Sequence, residues 1–185
     1  MNEKIKEVHE KVERMPFSQS LFKGELTDTQ SIAYMVNQWF IFQAMEHNIF
    51  RHLPHSSLPR CDKISDCVRE LGGKIDGDLM TQGTAKYINY IVGCEDDKDK
   101  WNSHVYLNYM AMLMGGQIIS ESNPEMEWMW HFSDRTTAIK SIRKLKVDWD
   151  QVYQGFVYHG EMLKELEDVE WFYRTQRWSD TYYDI

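Results

Sequence analysis

The amino-acid sequence predicts an all-α fold. Apolar residues recur at spacings of three and four along most of the chain, which is the period of a helix with one buried face. Val, Ile and Thr do not alternate with polar residues over any useful length, and only four prolines interrupt the 185 residues. A chain of this length can form one domain whose core buries a planar ligand, so we expect residues 1–185 to fold as a single multi-helix bundle.

Helix caps and helix breakers divide the pattern into seven or so helices. Pro16, Pro54 and Pro124 interrupt the periodicity, and Gly72 is typical of a helix end. The helices are expected over Glu3–Arg14, Ser18–Phe22, Thr27 or Asp28 to the residues before Pro54, Asp62–Leu71, Thr84–Val92, Trp101–Ser120, Thr137–Lys146 and Asp148–Tyr173. The third of these should turn a stripe inward at Ile32, Met35, Trp39, Phe42, Met45 and Ile49.

The charge balance argues against nucleic acid or anionic lipid as a partner. Lys and Arg total 21 against 29 Asp and Glu, which gives a formal net charge of -8. An anionic small molecule would therefore need a local cluster of basic residues. The charged N-terminal stretch lacks the apolar core of a signal peptide, and no run, residues 174–185 included, approaches the ~18 apolar residues of a membrane span. We expect a soluble, cytoplasmic protein without a membrane anchor.

The three cysteines, Cys61, Cys67 and Cys94, show neither metal-ligand spacing nor a disulfide framework. Their odd number fits a reducing compartment. We interpret them as packing or surface thiols.

His9 is the first candidate for ligand chemistry. It lies at the edge of the apolar stripe of the first helix, one residue after Val8 and three before Val12. Glu13 follows one turn later and could hold the second ring nitrogen of a metal-bound histidine. The alternative is a partly exposed helix histidine with an ordinary i,i+4 partner.

The second candidate is the segment 104–117, HVYLNYMAMLMGGQ. Gly115 and Gly116 are adjacent inside a strong helical pattern, and each costs about 1 kcal/mol relative to alanine in a helix. Either the backbone comes very close to another group or the helix bends, and both suit a helix that lies across a flat cofactor. A tight helix crossing would need the same small residues.

Three segments resemble the haem oxygenase family. IKEVHEKVE followed by MPFSQSLFKGELT is similar to the proximal helix and the connection after it, with His9 at the iron ligand and Glu13 at a nearby carboxylate. VYQGFVYHGEMLKEL resembles the last pocket helix, with Phe156 at an aromatic position and His159 where many members have asparagine. HVYLNYMAMLMGGQII resembles the distal-helix motif, and the matching positions are His104, Tyr106, Tyr109, Leu113, Gly115, Gly116 and Gln117.

This resemblance implies that haem lies between a proximal and a distal helix and is both cofactor and substrate. The ring is opened with dioxygen and external electrons, from a donor such as ferredoxin or a reductase, to give biliverdin, carbon monoxide and ferrous iron. Neutral imidazole is a suitable iron ligand, and the carboxylate beside it tunes its donation. In the family, a tyrosine of the distal segment, here Tyr106, and basic side chains hold the propionates. Gln117 and Phe156 would also line the pocket.

The densest basic cluster in the sequence could supply the basic side chains that hold the haem propionates. Lys140, Arg143 and Lys144 would share one face of the helix expected over Thr137–Lys146, at spacings i, i+3 and i+4. The alternative is a solvated basic helix face.

The distal segment departs from the family pattern. Active members usually carry Gly-Asp shortly before the glycine pair, and that aspartate organises distal water. Here the two positions read Ala111-Met112, and Asn108 replaces a basic residue. A thioether cannot donate a proton, so Met112 cannot act as the aspartate does. If the chain is active, we expect Asn108, Gln117 or His159 to organise that water. The three methionines Met110, Met112 and Met114 would make the distal wall less polar than usual.

Other functions remain open at this point. A haem-binding protein of the same fold could keep the pocket and lack turnover. A related fold that binds two metal ions would need converging carboxylates and histidines, for which Glu46, His104 and His159 are the best candidates. A thiaminase-like hydrolase would need a nucleophilic cysteine beside a carboxylate, and none of the three cysteines has that signature.

Overall fold

The computed structural model describes residues 3–49 and 51–168. Over these residues it has ten α-helices and no β-strand, which confirms the all-α prediction. The helices are α1 (Glu3–Glu13), α2 (Pro16–Lys23), α3 (Asp28–Glu46), α4 (Cys61–Glu70), α5 (Gln82–Val92), α6 (Lys98–Met110), α7 (Gly116–Ser122), α8 (Glu127–Trp130), α9 (Arg135–Ile142) and α10 (Trp149–Leu166). Within the same ranges, no helix combines the length and the apolar character that a bilayer crossing requires.

Local sequence explains where the first helices begin and end. Pro16 occupies the first turn of α2, where its missing N–H costs nothing, and Gly24 ends that helix with a φ of 68°. A side chain at Gly24 would also collide with the backbone carbonyl group of Ser122. Thr27 and Gln30 form a capping box that starts α3.

The helices pack around α3 and α10. Helix α10 lies along α5, α6 and α1, while α3 packs against α4 and α5. The main core contains Phe42, Trp101 and Tyr109, all 2% exposed or less. A smaller cluster of Ile5, Leu107 and Val152 joins α1 to α6 and α10 and therefore sets the position of His9.

The third and the last of the predicted helices end earlier than the sequence predicts. Helix α3 ends at Glu46, and Ile49 is 80% exposed, so its inward placement was wrong. The reason is local: the Asn48 side chain accepts from the backbone N–H of Arg51, which turns the chain away from the helical path. The last helix was expected to continue to Tyr173, and the part of that expectation beyond residue 168 lies outside the described residues, as do residues 174–185.

The helix expected over Trp101–Ser120 is divided by a wide π-helical turn. Helix α6 runs into the turn Ala111–Gly115, and α7 continues from Gly116. The Arg135 guanidinium donates from Nε to the carbonyl oxygen of Leu113 inside this turn, at 2.8 Å. We call α6, the turn and α7 together the distal helix. Turns of this kind are frequent at functional sites.

The two glycines of the distal helix have different surroundings. A Cβ at Gly116 would lie 2.5 Å from Cδ1 of Trp130, whereas a Cβ at Gly115 would meet nothing within 4 Å. Gly116 therefore serves a tight packing contact, and Gly115 borders open space. A tight helix crossing therefore explains Gly116, whereas Gly115 leaves room for a ligand to approach the backbone.

We expect Gly116→Ala to destabilise the fold by about 1–3 kcal/mol, because the added methyl group forces Trp130 or the helix to move. Gly115→Ala is the matched control and should cost nothing, since its methyl group enters open space and alanine favours a helix. Guanidinium unfolding of both variants, followed by circular dichroism, measures the difference. Equal stability of the two variants would contradict the assignment.

Candidate functional site

His9 lies on the half-exposed edge of α1. Its side chain is 41% exposed, while Ile5 and Val8 of the same helix are buried. Its Nδ1 lies 3.5 Å from a carboxylate oxygen of Glu13, and its ring meets Phe156 of α10 edge-on with 5.3 Å between centroids. Because Nδ1 faces Glu13, Nε2 is the nitrogen that remains for a metal.

The distal helix has an apolar face that no core residue covers. Ala111, Met114 and Ile118 are exposed, Gly115 is partly exposed, and these four residues form what we call the distal face. Met114 and Ile118 leave 46% and 65% of their surface open. Exposed apolar surface beside a glycine with open space is typical of a binding site for a flat apolar ligand.

The methionines of the distal helix do not form one wall. Met112 is 5% exposed and packs in the main core, and Met110 packs against that core from its edge. Met114 is the member of the three that contributes to the distal face. The expectation of a wall built from all three was therefore wrong, because residues two apart in a helix, such as Met112 and Met114, point to opposite sides.

A cleft of about 520 Å³ runs between α1 and α10. Its floor is apolar, and Phe156, which also contacts His9, belongs to it. Its basic lining residues are Lys4, Lys11 and Lys164. Sequence reasoning missed these lysines because Lys4 and Lys11 are two turns apart on α1, and Lys164 is on α10, which is distant in the chain.

The predicted basic helix is shorter than expected. Helix α9 ends at Ile142, so the predicted extent to Lys146 is wrong: Arg143 caps the helix and Lys144 follows it. The role of Lys140, Arg143 and Lys144 at the propionates stays a prediction. All three basic residues are exposed, and none of them lines the α1–α10 cleft.

Two further predicted pocket residues share no hydrogen bond, ion pair or ring contact with His9 among the described residues. Tyr106 is partly buried and meets Trp149 edge-on at 5.7 Å, and Gln117 is exposed on α7. Their assignment to the pocket stays a prediction.

A continuous chain of polar side chains connects α10, α6 and α5. His159 Nε2 lies 2.8 Å from Asn108 Oδ1, Asn108 Nδ2 donates to Tyr87 Oη at 2.9 Å, and Tyr87 Oη lies 3.2 Å from His104 Nδ1. His104 Nε2 then contacts Cys94 Sγ at 3.8 Å. We call these five residues the polar chain. The sequence indicates Asn108, His104 and His159 separately, whereas nothing in it points to Tyr87 or Cys94.

The polar chain is uncharged near neutral pH. Burial lowers the pKa of His104 to about 4, an effect that a hydrogen bond with Gln151 partly opposes. Burial also lowers the pKa of His159 to about 4, and the nearby His104 adds to the shift. Burial raises the pKa values of the Tyr87 hydroxyl and the Cys94 thiol.

The structure gives no support to a site for two metal ions. The Glu46 carboxylate accepts hydrogen bonds from the backbone N–H groups of Arg60 and Cys61 at the start of α4 and from the Tyr109 hydroxyl. Among residues 3–49 and 51–168, no three His, Cys, Asp or Glu side chains are grouped to hold a metal ion.

The cysteines are buried free thiols. Burial raises the pKa values of Cys61, Cys67 and Cys94, which opposes the thiolate that a hydrolase nucleophile needs.

Comparison with known proteins is consistent with this architecture. The family model described as Heme oxygenase matches residues 1–175. No curated protein matches the chain in sequence. Haem oxygenase-1 of the cyanobacterium Synechocystis, solved with haem, is similar in fold with a TM-score of 0.73 and 17% identity, over 97% of this chain and 96% of that one.

Two more solved structures have the same fold. Haem oxygenase of Leptospira interrogans superposes with a TM-score of 0.74 and 16% identity, over 88% of this chain and 96% of that one. Haem oxygenase-2 of Synechocystis, solved with haem and NO, has a TM-score of 0.73 and 18% identity, over 90% of this chain and 83% of that one.

The lowered pKa of His104 predicts a specific pH dependence of stability. The unfolded chain protonates this imidazole near pH 6.5, whereas the folded chain keeps it neutral to about pH 4, so the free energy of unfolding falls as the pH falls between these values. We expect His104→Gln to reduce this slope by up to about 1.4 kcal/mol per pH unit. Urea unfolding at several pH values measures it, with His52→Gln as the same change on an exposed loop. A wild-type slope in His104→Gln would rule out the neutral buried ring.

Proposed function

The chain belongs to the haem oxygenase family, and we propose that it binds haem and opens the ring to biliverdin, carbon monoxide and ferrous iron. Dioxygen and an external electron donor, such as ferredoxin or a reductase, would supply the oxidant and the electrons. The observation that carries this proposal is the half-exposed His9 beside Glu13, together with the uncovered apolar distal face.

The residues present fit haem by their chemistry. Haem is flat and largely apolar, it carries two carboxylates, and its iron takes a neutral imidazole as ligand. His9 supplies the imidazole, the distal face supplies apolar surface, and Gly115 has no side chain where the ring would approach. When bound, haem provides both the iron that reacts with dioxygen and the ring that is cleaved.

In this proposal, each group of residues has a binding or positioning task. His9 binds through Nε2, and Glu13 holds its orientation from the other nitrogen. The distal face excludes water from one side of the ring. Tyr106 and basic side chains would hold the propionates. The basic candidates are Lys140, Arg143 and Lys144 from the sequence, and Lys4, Lys11 and Lys164 from the α1–α10 cleft.

A second candidate function is haem binding without ring opening. The burial of Met112 in the core favours it, because the position at which the family has its water-organising aspartate carries an apolar side chain that packs inward. The polar chain favours the enzymatic function, since the partly exposed His159, held by Asn108, is a hydrogen-bonding group that water can reach.

We expect His9→Ala to abolish the histidine-type absorption spectrum of the hemin complex while circular dichroism stays unchanged. The half-exposed ring adds little to the core, so its removal should affect the iron and not the fold. Hemin titration followed at the Soret band makes the measurement, with His52→Ala as control. A wild-type spectrum in His9→Ala would mean that another residue is the ligand.

We expect His159→Ala to slow biliverdin formation by roughly 10²-fold, because loss of a group that orders the water delivering a proton falls at the lower end of the effects known for acid–base groups. Met112→Leu replaces one core side chain with another and should leave the rate within a few-fold of the native value. Biliverdin absorbance after addition of ferredoxin or ascorbate to the hemin complex measures both. If the native complex yields no biliverdin with any donor, the function is haem binding alone.

A further inference from the structure

The hydrogen bonds of the polar chain have a definite direction at Asn108. One atom of its amide lies 2.8 Å from the backbone carbonyl oxygen of His104, and a carbonyl can only accept. That atom is therefore the nitrogen, which settles the orientation of the amide. Its oxygen must then face His159, so His159 Nε2 carries a proton and donates it.

The same reasoning continues towards Cys94. The second N–H of Asn108 donates to Tyr87 Oη, which leaves the single hydroxyl proton of Tyr87 to donate to His104 Nδ1. His104 is then protonated on Nε2 and donates to Cys94 Sγ, and the thiol donates to Gln151 Oε1 at 3.8 Å. With the opposite arrangement at His104, the hydroxyl proton of Tyr87, a residue 1% exposed, would have no acceptor among the described residues, and an unpaired buried donor is unfavourable.

His159 is partly exposed, and we propose that the polar chain locks it as the Nε2–H tautomer, so that its bare Nδ1 is left to accept a hydrogen bond from water in the open space beside the ring. His159 follows Phe156, the partner of the His9 ring, by one turn of α10. Within the described part of the chain, no group bonds Nδ1. The identity of the ligand in that space rests on the proposed function, whereas the state of the ring does not.

This arrangement positions a water molecule and does not conduct protons. A side-chain amide is neither acidic nor basic enough to relay a proton. Because the Asn108 amide links His159 to Tyr87, no proton passes between them. Tyr87, His104 and Asn108 are therefore positioning residues. A neutral imidazole nitrogen would accept from water where the thioether of Met112 is only a weak acceptor.

The test is the tautomeric state of His159 in the haem-free protein. Long-range ¹H–¹⁵N correlation spectra of ¹⁵N-labelled protein at neutral pH distinguish a protonated from a bare ring nitrogen, and His159→Gln and His104→Gln assign the signals. We expect both rings as pure Nε2–H tautomers. An Nδ1–H tautomer, or a charged ring, at His159 would overturn the proposal.

Matched variants test the direction of the chain. Asn108→Leu should turn the His159 signals into those of a tautomer mixture. Tyr87→Phe removes the donor to His104 Nδ1, so the His104 ring should become a mixture of tautomers. His159 should keep its tautomer, because the His104 carbonyl still orients the Asn108 amide. Tyr158→Phe removes a hydroxyl from the ring stacked on Tyr87 and should change neither. If Asn108→Leu does not fold, Tyr87→Phe still tests the proposal. An unchanged tautomer of His104 in that variant would refute the proposed direction of the hydrogen bonds.

The placement of Nδ1 has its own test. Gallium(III) protoporphyrin is diamagnetic and can be added to the labelled protein as a stand-in for haem. We expect it to shift the Nδ1 signal of His159 and to leave that of His52 unshifted. Binding that depends on His9 without any shift at His159 would overturn the placement. If the porphyrin does not bind and the tautomer is as expected, the proposed function is refuted, whereas the fixed tautomer of His159 remains supported.

Discussion

The wide turn at Ala111–Gly115 is the constraint on which the site depends. Met112 and Gly116 lie one turn apart and face the core, while Met114 and Gly115 face open space. Two contacts hold the turn in place. Trp130 packs directly on Gly116 at one end, and Arg135 donates to the Leu113 carbonyl oxygen in the middle. The apolar distal face is the outer surface of this anchored segment.

The opposite side of the site depends on how α1 is docked. This helix is mostly Glu and Lys on its outer surface, and Ile5 and Val8 are its buried residues. Burying each of these side chains contributes about 1.5–3 kcal/mol, and this free energy holds the helix against α10. His9 owes its position to these two contacts and to the edge of Phe156. A helix fastened by so few side chains can adjust when a ligand binds beside it, while the distal helix, anchored in the main core, stays in place.

The sequence predicted the fold well and the site only in part. Apolar periodicity and strong caps such as Thr27 indicate helices reliably, because they are local signals. Ile49 was misplaced because the chain turns where the backbone N–H of Arg51 donates to the Asn48 side chain, and apolar periodicity does not record that turn. The link between Tyr87 and His159 could not be read from one sequence. It depends on packing between helices whose residues are far apart in the chain, and neither residue type nor spacing records that contact.

The distal side of this protein therefore relies on neutral groups. A carboxylate at position 112 would sit among core side chains, and an ionised group there would cost several kcal/mol unless it were paired. The polar chain avoids that cost, because burial keeps His104 and His159 uncharged and Tyr87 and Cys94 protonated near neutral pH. Each donor in it is matched to an acceptor, so the rings are held in one orientation without any net charge. A neutral network in which every donor has an acceptor thus orients buried polar side chains without the penalty of an isolated charge.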